Sequence, residues 1–492
     1  MSQVSTSAET IAIVGATLID GSGGAPVRGA VVILKGDEII AVGRRGSLKV
    51  PRGARIIDAR GLVLAPGFID THNHSGGGFA RDPSAATQVS QGITTVLLGQ
   101  DGGSEYPIAE YLTKLEQSPV AVNVLTMIGH ATLRSRVMKS GTNRAATIEE
   151  IAEMTKLMEQ GMRDGAFGLS SGLEYEVGKR STTEEVISLA RAAGKYQGLY
   201  MSHIRDEADL TMEAIAEAIR IGREGQVPAQ ISHIKLGSAA VWGRAGEVVA
   251  LVEQARRAGQ DVTADCYPYN AWSSTIKVLV PSDRHDDPAA VAKGLADVGG
   301  AQNVTIVNCQ AHPDYEFKTL AQIAVEKNLG PAELYTQIVK DGGAGIVCHS
   351  MKDEDIRAFY QQPWVMVSSD GGIGMRHPRG AGAFPRVLGL FVRERRWLTL
   401  SEAVRKMTSL PAKRLGLRDR GLIRRGFKAD LVLLDPARVK DNSTFREPHL
   451  ISDGIAHVFV NGVEVWRQGA VTKAKPGRPL RRDEGGRMKD EK

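Results

Sequence analysis

Three cysteines in 492 residues, widely spaced and odd in number, exclude a disulfide framework. Cys266, Cys309 and Cys348 read as reduced thiols, which places the chain in a reducing compartment, the cytoplasm. No stretch approaches the roughly 18 consecutive apolar residues needed to cross a bilayer, and residues 1–10 lack the charged start and apolar core of a secretory signal, so no membrane partner is expected. Surplus charge is also scarce. Of the formal net charge of +6, residues 473–492 carry most, with eight basic residues against four acidic ones. The remainder is close to neutral, which argues against a nucleic-acid partner. Phosphate-cradling loops are missing too. The glycine runs at Gly76-Gly77-Gly78 and Gly102-Gly103 lack the Lys-Ser/Thr of a P-loop, and the expected use of such glycines is close backbone approach to a site.

Ordinary apolar (42%) and charged (24%) fractions exclude disorder for most of the chain, and the length allows one large domain plus an accessory. Short β patterns broken by turn signals run through residues 11–58 and return at 430–434 and 456–465, so one small β-sandwich built from both ends is expected over 1–62 and 416–472. Between them, buried-strand patterns at 67–71, 94–98, 120–125, 166–169, 199–203, 229–233, 261–265 and 365–369 mostly precede amphipathic helical stretches, including 147–163, 183–197, 209–224 and 247–258. Threonine caps followed by acidic residues open the first two helices. Eight such units predict an α/β fold of the (β/α)8 TIM-type barrel over 63–415, with residues 281–348 inserted over its mouth and a charged, disordered tail over 473–492.

Barrel chemistry sits at the carboxyl ends of the strands. His72 and His74 follow the first strand, Asp101 the second, His203 and His233 end the fifth and sixth, and Asp370 follows the eighth. In extended chain, two histidines separated by one residue point to the same side, so the set converges as candidate metal ligands. His130, His285, His312, His349, His449 and His457 lack such placement and read as structural.

These residues lie in longer motifs: Pro66-Gly67-Phe68-Ile69-Asp70-Thr71-His72-Asn73-His74, Gly168-Leu169-Ser170-Ser171-Gly172-Leu173-Glu174-Tyr175, Ser202-His203-Ile204-Arg205, Gln230-Ile231-Ser232-His233-Ile234-Lys235, Asp265-Cys266-Tyr267-Pro268-Tyr269, Ser368-Ser369-Asp370-Gly371 and His377-Pro378-Arg379-Gly380. The first resembles the opening signature of the amidohydrolase superfamily, and together they resemble the D-aminoacylase (N-acyl-D-amino-acid deacylase) family from about residue 11 to 469. The resemblance implies Zn2+, as one or two ions, with His203 and His233 on the tighter ion and His72 and His74 on a second, weaker or absent one. It makes Asp370 the general base and then acid of amide hydrolysis, Lys235 and Arg379 anchors for a substrate carboxylate, and Tyr175, Tyr267 and Ser274 further substrate contacts.

Two departures stand out. The family's Gly-Asn-Cys-Gly turn reads Gly99-Gln100-Asp101-Gly102 here, so Asp101 takes the place of a zinc-ligating cysteine, and its harder oxygen widens metal choice toward manganese or iron. Gly76 stands where many relatives carry aspartate after the histidine pair. The expected function is metal-dependent hydrolysis of small carboxylated amides, the D preference resting on the resemblance. The alternative is a cyclic-amide hydrolase of the dihydroorotase or hydantoinase kind, whose bridging lysine the fourth strand lacks; a non-catalytic scaffold is the remaining class.

Overall fold

The structure, a computed structural model, describes residues 9–482. The chain opens with five strands, β1 (Thr10–Leu18), β2 (Val27–Lys35), β3 (Glu38–Arg44), β4 (Arg55–Asp58) and β5 (Val63–Pro66). The barrel strands follow: β6 (Phe68–Asp70), β7 (Ile93–Leu98), β8 (Asn123–Thr126) with its short continuation β9 (Ile128–Gly129), β10 (Gly168–Gly172), β11 (Leu199–His203), β12 (Ala229–Ile231) and β13 (Val262–Cys266). An excursion then forms β14 (Trp272–Thr275), β15 (Val304–Asn308) and β16 (Gly345–Cys348) before the last barrel strand, β17 (Val365–Val367). The chain returns to the small domain as β18 (Leu431–Leu434), β19 (Ile455–Val460), β20 (Val463–Arg467) and β21 (Ala470–Val471).

The barrel ladders are parallel, β6-β7-β8 and β9-β10-β11-β12-β13-β17. The ring closes at the mouth, where Asn73 bridges Gly371, His74 N–H donates to Gly371 C=O at 2.7 Å and Asp370 N–H to His72 C=O at 2.9 Å. Strands such as β7 and β11 are buried along their whole length, because one face fills the barrel and the other meets the helices. The helix starts carry their expected caps. Thr147 accepts from Glu150 N–H in a full capping box, and Thr182, one residue before the expected start, accepts from Glu185 N–H.

Strands from both ends share one nine-stranded sheet, ordered β21-β20-β19-β18-β5-β1-β2-β3 with β4 on β1, and apolar side chains cover both of its faces. Because β5 pairs antiparallel with β18 and parallel with β1, the small domain runs to Pro66, beyond the expected boundary at 62. The excursion has an apolar core of its own and begins at Trp272, earlier than the expected 281, because β14 is already paired with β16. Part of the tail corrects a further expectation. Gly477 and Leu480 N–H donate to Val120 and Val124 C=O and Arg482 N–H to Gly165 C=O, all at 2.8–2.9 Å, so residues up to 482 are docked on the barrel. Residues 483–492 of that expected tail lie outside the described residues. Among the described residues, no helix is long and apolar enough to cross a membrane.

Candidate active site

The extended backbone beyond β6 is held on both sides, by β7 through Asn73 N–H to Leu97 C=O and by the β17 loop through Gly371, so His72 and His74 turn their rings to one side with centroids 5.2 Å apart. His203 ends β11, and His233 sits two residues past β12. Three site residues hold left-handed backbone: His233 (φ 35°), Asp370 (φ 47°) and Asp101 (φ 55°). That conformation is uncommon for residues other than glycine and is kept only where surroundings enforce it. Flanking glycines explain how the backbone packs here. A Cβ on Gly102 would meet Gly172 N at 2.8 Å, and one on Gly172 would meet Asp101 C=O at 2.2 Å.

Three donor groups result, each with its ligand atoms mutually within 4.8 Å: His72, His74, Asp101 and Asp370; Asp101, His203 and His233; and Glu174, His203 and Glu207. Asp101 belongs to the first two, which share the barrel mouth. Its Oδ2 lies 3.3 Å from His72 Nε2 and 3.4 Å from His74 Nε2, while Oδ1 lies 3.5 Å from His233 Nε2 and accepts no hydrogen bond. Asp370 Oδ1 lies 3.1 Å from His74 Nε2 and 3.5 Å from His72 Nε2.

Sequence reasoning missed three carboxylates that lie against the histidine rings. His203 Nε2–H donates to Glu174 Oε2 at 3.0 Å, His233 Nδ1 lies 3.1 Å from Glu207 Oε1, and the buried Asp265 places Oδ1 3.5 Å from His72 Nδ1. His203 Nδ1 lies 2.8 Å from His233 Nε2 and 3.3 Å from the Tyr175 hydroxyl, and Lys235 Nζ lies 2.7 Å from His233 Nδ1. Carboxylates behind the rings orient metal-ligating histidines, and the buried Asp101 Oδ1 is left without a hydrogen bond. The donor set therefore fits a divalent metal. Electrostatics agree. Burial and Lys235 push His233 down, but Glu207, Asp101 and Asp370 prevail and raise it to about 9. Burial would raise Asp101, yet His72 and His233 hold it well below the usual carboxylate range. The acids thus draw positive charge onto the rings, which is the demand a metal ion answers.

The candidate anchors are placed differently. Lys235 Nζ donates to Glu207 Oε1 at 2.5 Å and is already neutralised. Arg379 Nη1 lies 2.8 Å from Asp370 Oδ2, an ion pair whose angle makes no hydrogen bond, so its buried Nε–H and Nη1–H lack acceptors. Burial would raise Asp370, but Arg379 first, then His72 and His233, hold it far below the ordinary carboxylate range. Tyr175 and Ser274 line the adjoining cavity of about 290 Å³. Tyr267 is placed beneath the cations instead. Its ring lies 4.8 Å from Arg379 Cζ and 5.9 Å from Lys235 Nζ, and its hydroxyl points at Met351 Sδ. The sequence signals for the missed groups were positional only: Asp265 ends its strand run, Glu207 follows His203 by one helical turn, and Glu174 precedes Tyr175. β10 carries no lysine, as the sequence indicated.

A parallel barrel with histidines and carboxylates gathered at its mouth defines a metal-dependent hydrolase. Comparisons narrow that class. The profile of the Amidohydrolase family matches residues 55–466. D-aminoacylase of Alcaligenes xylosoxydans xylosoxydans is 37% identical, covering 98% of this chain and 99% of that protein, and N-acyl-D-aspartate deacylase of the same organism is 36% identical, covering 95% and 94%. The crystal structure of N-acyl-D-glutamate deacylase from Bordetella bronchiseptica, complexed with zinc and a phosphonate mimic of the tetrahedral intermediate, superposes with TM-score 0.87 at 32% identity, covering 96% of this chain and 100% of that one. The chain belongs to the amidohydrolase family, in the D-aminoacylase branch.

Proposed function

We propose that this protein is a zinc-dependent deacylase that hydrolyses the amide bond of N-acyl-D-amino acids. One observation carries the reading: a doubly served metal-donor cluster adjoins a buried arginine with two unused N–H donors, the pairing that a carboxylated amide requires. His72, His74, Asp101, His203, His233 and Asp370 would hold one or two ions. A bound zinc ion supplies Lewis-acid chemistry, lowering the pKa of water to about 7 and polarising the carbonyl.

The chain's own groups do the rest. Arg379, over the Tyr267 ring, binds the substrate carboxylate through its unused N–H donors, while Lys235 stays paired with Glu207. Asp370, ionised beside Arg379, accepts a proton from the attacking water and returns it to the departing nitrogen, which cannot leave as an amide anion. Tyr175 and Ser274 offer hydroxyls to the substrate within the cavity. The D preference is supported by what the relatives act on, and the absence of a lysine on β10 disfavours the cyclic-amide alternative. Three free, buried cysteines support a cytoplasmic location.

The deciding experiment measures metal content and hydrolysis of matched N-acetyl D- and L-amino acids, with Asp370→Asn as control. D-selective turnover that drops at least about 1,000-fold in the control is expected. Turnover of L substrates alone, or a control as active as the native protein, refutes the reading.

A further inference from the structure

Similarity does not choose among deacylase substrates, since the D-aminoacylase and N-acyl-D-aspartate deacylase relatives stand at 37% and 36% identity. The cavity wall does choose. We infer that the D-amino acid carries an apolar, uncharged side chain, read by a wall that the excursion between β13 and β17 contributes; the inference rests on the deacylase reading above.

Trp272 of β14, Val278 and Leu279 of the turn Ile276–Leu279, and Val298 line the cavity. Leu279 and Val298 are buried in the excursion's own core, and the Trp272 indole N–H donates to Ser350 Oγ at 2.7 Å, so this wall is fixed in place. Among the described residues lining the cavity, the lysine and arginine side chains are Lys235 and Arg379 alone. Lys235 is held by Glu207, and Arg379, beside Asp370, is taken by the α-carboxylate in the deacylase reading. A second carboxylate, as on D-aspartate or D-glutamate, therefore finds no partner and faces Glu174, Glu207 and Asp297.

Those acids do not recruit a cationic side chain either. Glu174 Oε2 receives the His203 N–H, Glu207 is held by Lys235, and Asp297 pairs with Lys293 at 2.7 Å. Transfer from water into this wall is favourable for leucine, methionine or phenylalanine side chains and costly for any ion.

The test compares kcat/KM of the zinc-loaded full chain on N-acetyl derivatives of D-leucine, D-methionine, D-phenylalanine, D-aspartate, D-glutamate and D-lysine. The apolar substrates are expected to exceed both the acidic ones and lysine by at least about 30-fold. A best substrate that is acidic or cationic overturns the inference while leaving the deacylase reading intact. Failure to turn over any D substrate overturns the deacylase reading, and this inference with it.

A second variant guards the wall argument. Val278→Arg, at a half-exposed position on the wall, should narrow the leucine-to-glutamate gap at least about tenfold, and an unchanged gap refutes the wall's role. Calorimetric titration of Asp370→Asn with N-acetyl-D-leucine and N-acetyl-D-glutamate should show the same order of affinity without turnover. The reverse order would overturn the inference.

Discussion

Replacing Asp101 by asparagine removes one negative charge while keeping the shape of the side chain and a residue type that tolerates left-handed backbone. The carboxylate oxygens lie 3.3–3.5 Å from ring nitrogens of three histidines that belong to two donor sets. At about 3.4 Å and an effective dielectric of about 20, one unit-charge interaction is roughly 5 kcal/mol, of which desolvation cancels about half. The expected loss is therefore about 2–3 kcal/mol, or roughly 30- to 150-fold in affinity for the more tightly held ion. Because both sets share Asp101, the second equivalent should weaken together with the first. Equilibrium dialysis against a competing chelator, with elemental analysis of bound zinc, measures both equivalents. Unchanged stoichiometry with affinity within twofold of the native protein would refute the assignment of Asp101 as the shared ligand. Asp101→Cys provides the converse, since a thiolate at this point should favour zinc over manganese and abolish any preference for the harder ion.

Two stability predictions concern the small domain and its seam with the barrel. Arg420 Nε lies 2.9 Å from Asp430 Oδ2, both side chains being nearly inaccessible, and Asn123 and Asn461 complete the network around that carboxylate. Arg420→Met strands a buried charge and should cost about 3–5 kcal/mol by urea denaturation, with Arg420→Met/Asp430→Leu recovering most of it. No recovery in the double variant would show that the pair does more than neutralise itself. Glu464 offers a pH test. Burial would raise its carboxyl, but His457 and Arg467 lower it from 4.5 to about 2. A depressed carboxylate stabilises the fold above its ordinary value and loses that contribution as pH falls toward the folded value, so the loss spans pH 4.5 down to about 2. Glu464→Gln should flatten this part of the melting-temperature profile and cost up to roughly 3 kcal/mol at neutral pH; an unaltered acid slope refutes the assignment.

The local rules were legible in the sequence because they are local. The strand and helix periods, the threonine caps and the His72–His74 spacing depend on residues within a turn or two, and these placed eight strands and six candidate ligands at one barrel mouth. Asp101 was visible for the same reason, as an oddity in a glycine turn. What the tertiary structure alone decided is which distant charges meet. Glu174, Glu207 and Asp265 come from three different strand ends, and nothing near them in the chain marks them as partners of His203, His233 and His72. The same blindness made Lys235 an open anchor on paper when Glu207 already holds it. The tail read as solvated because its side chains are charged, yet residues 477–482 dock through backbone hydrogen bonds, which side-chain pattern does not report. Sequence thus determined the fold and the candidate ligands, while three-dimensional contact decided which carboxylates meet which rings, that Asp101 lies between the histidines of both groups, and that Glu207 holds Lys235. The reason is physical: periodicity propagates along the chain, whereas electrostatics acts across space.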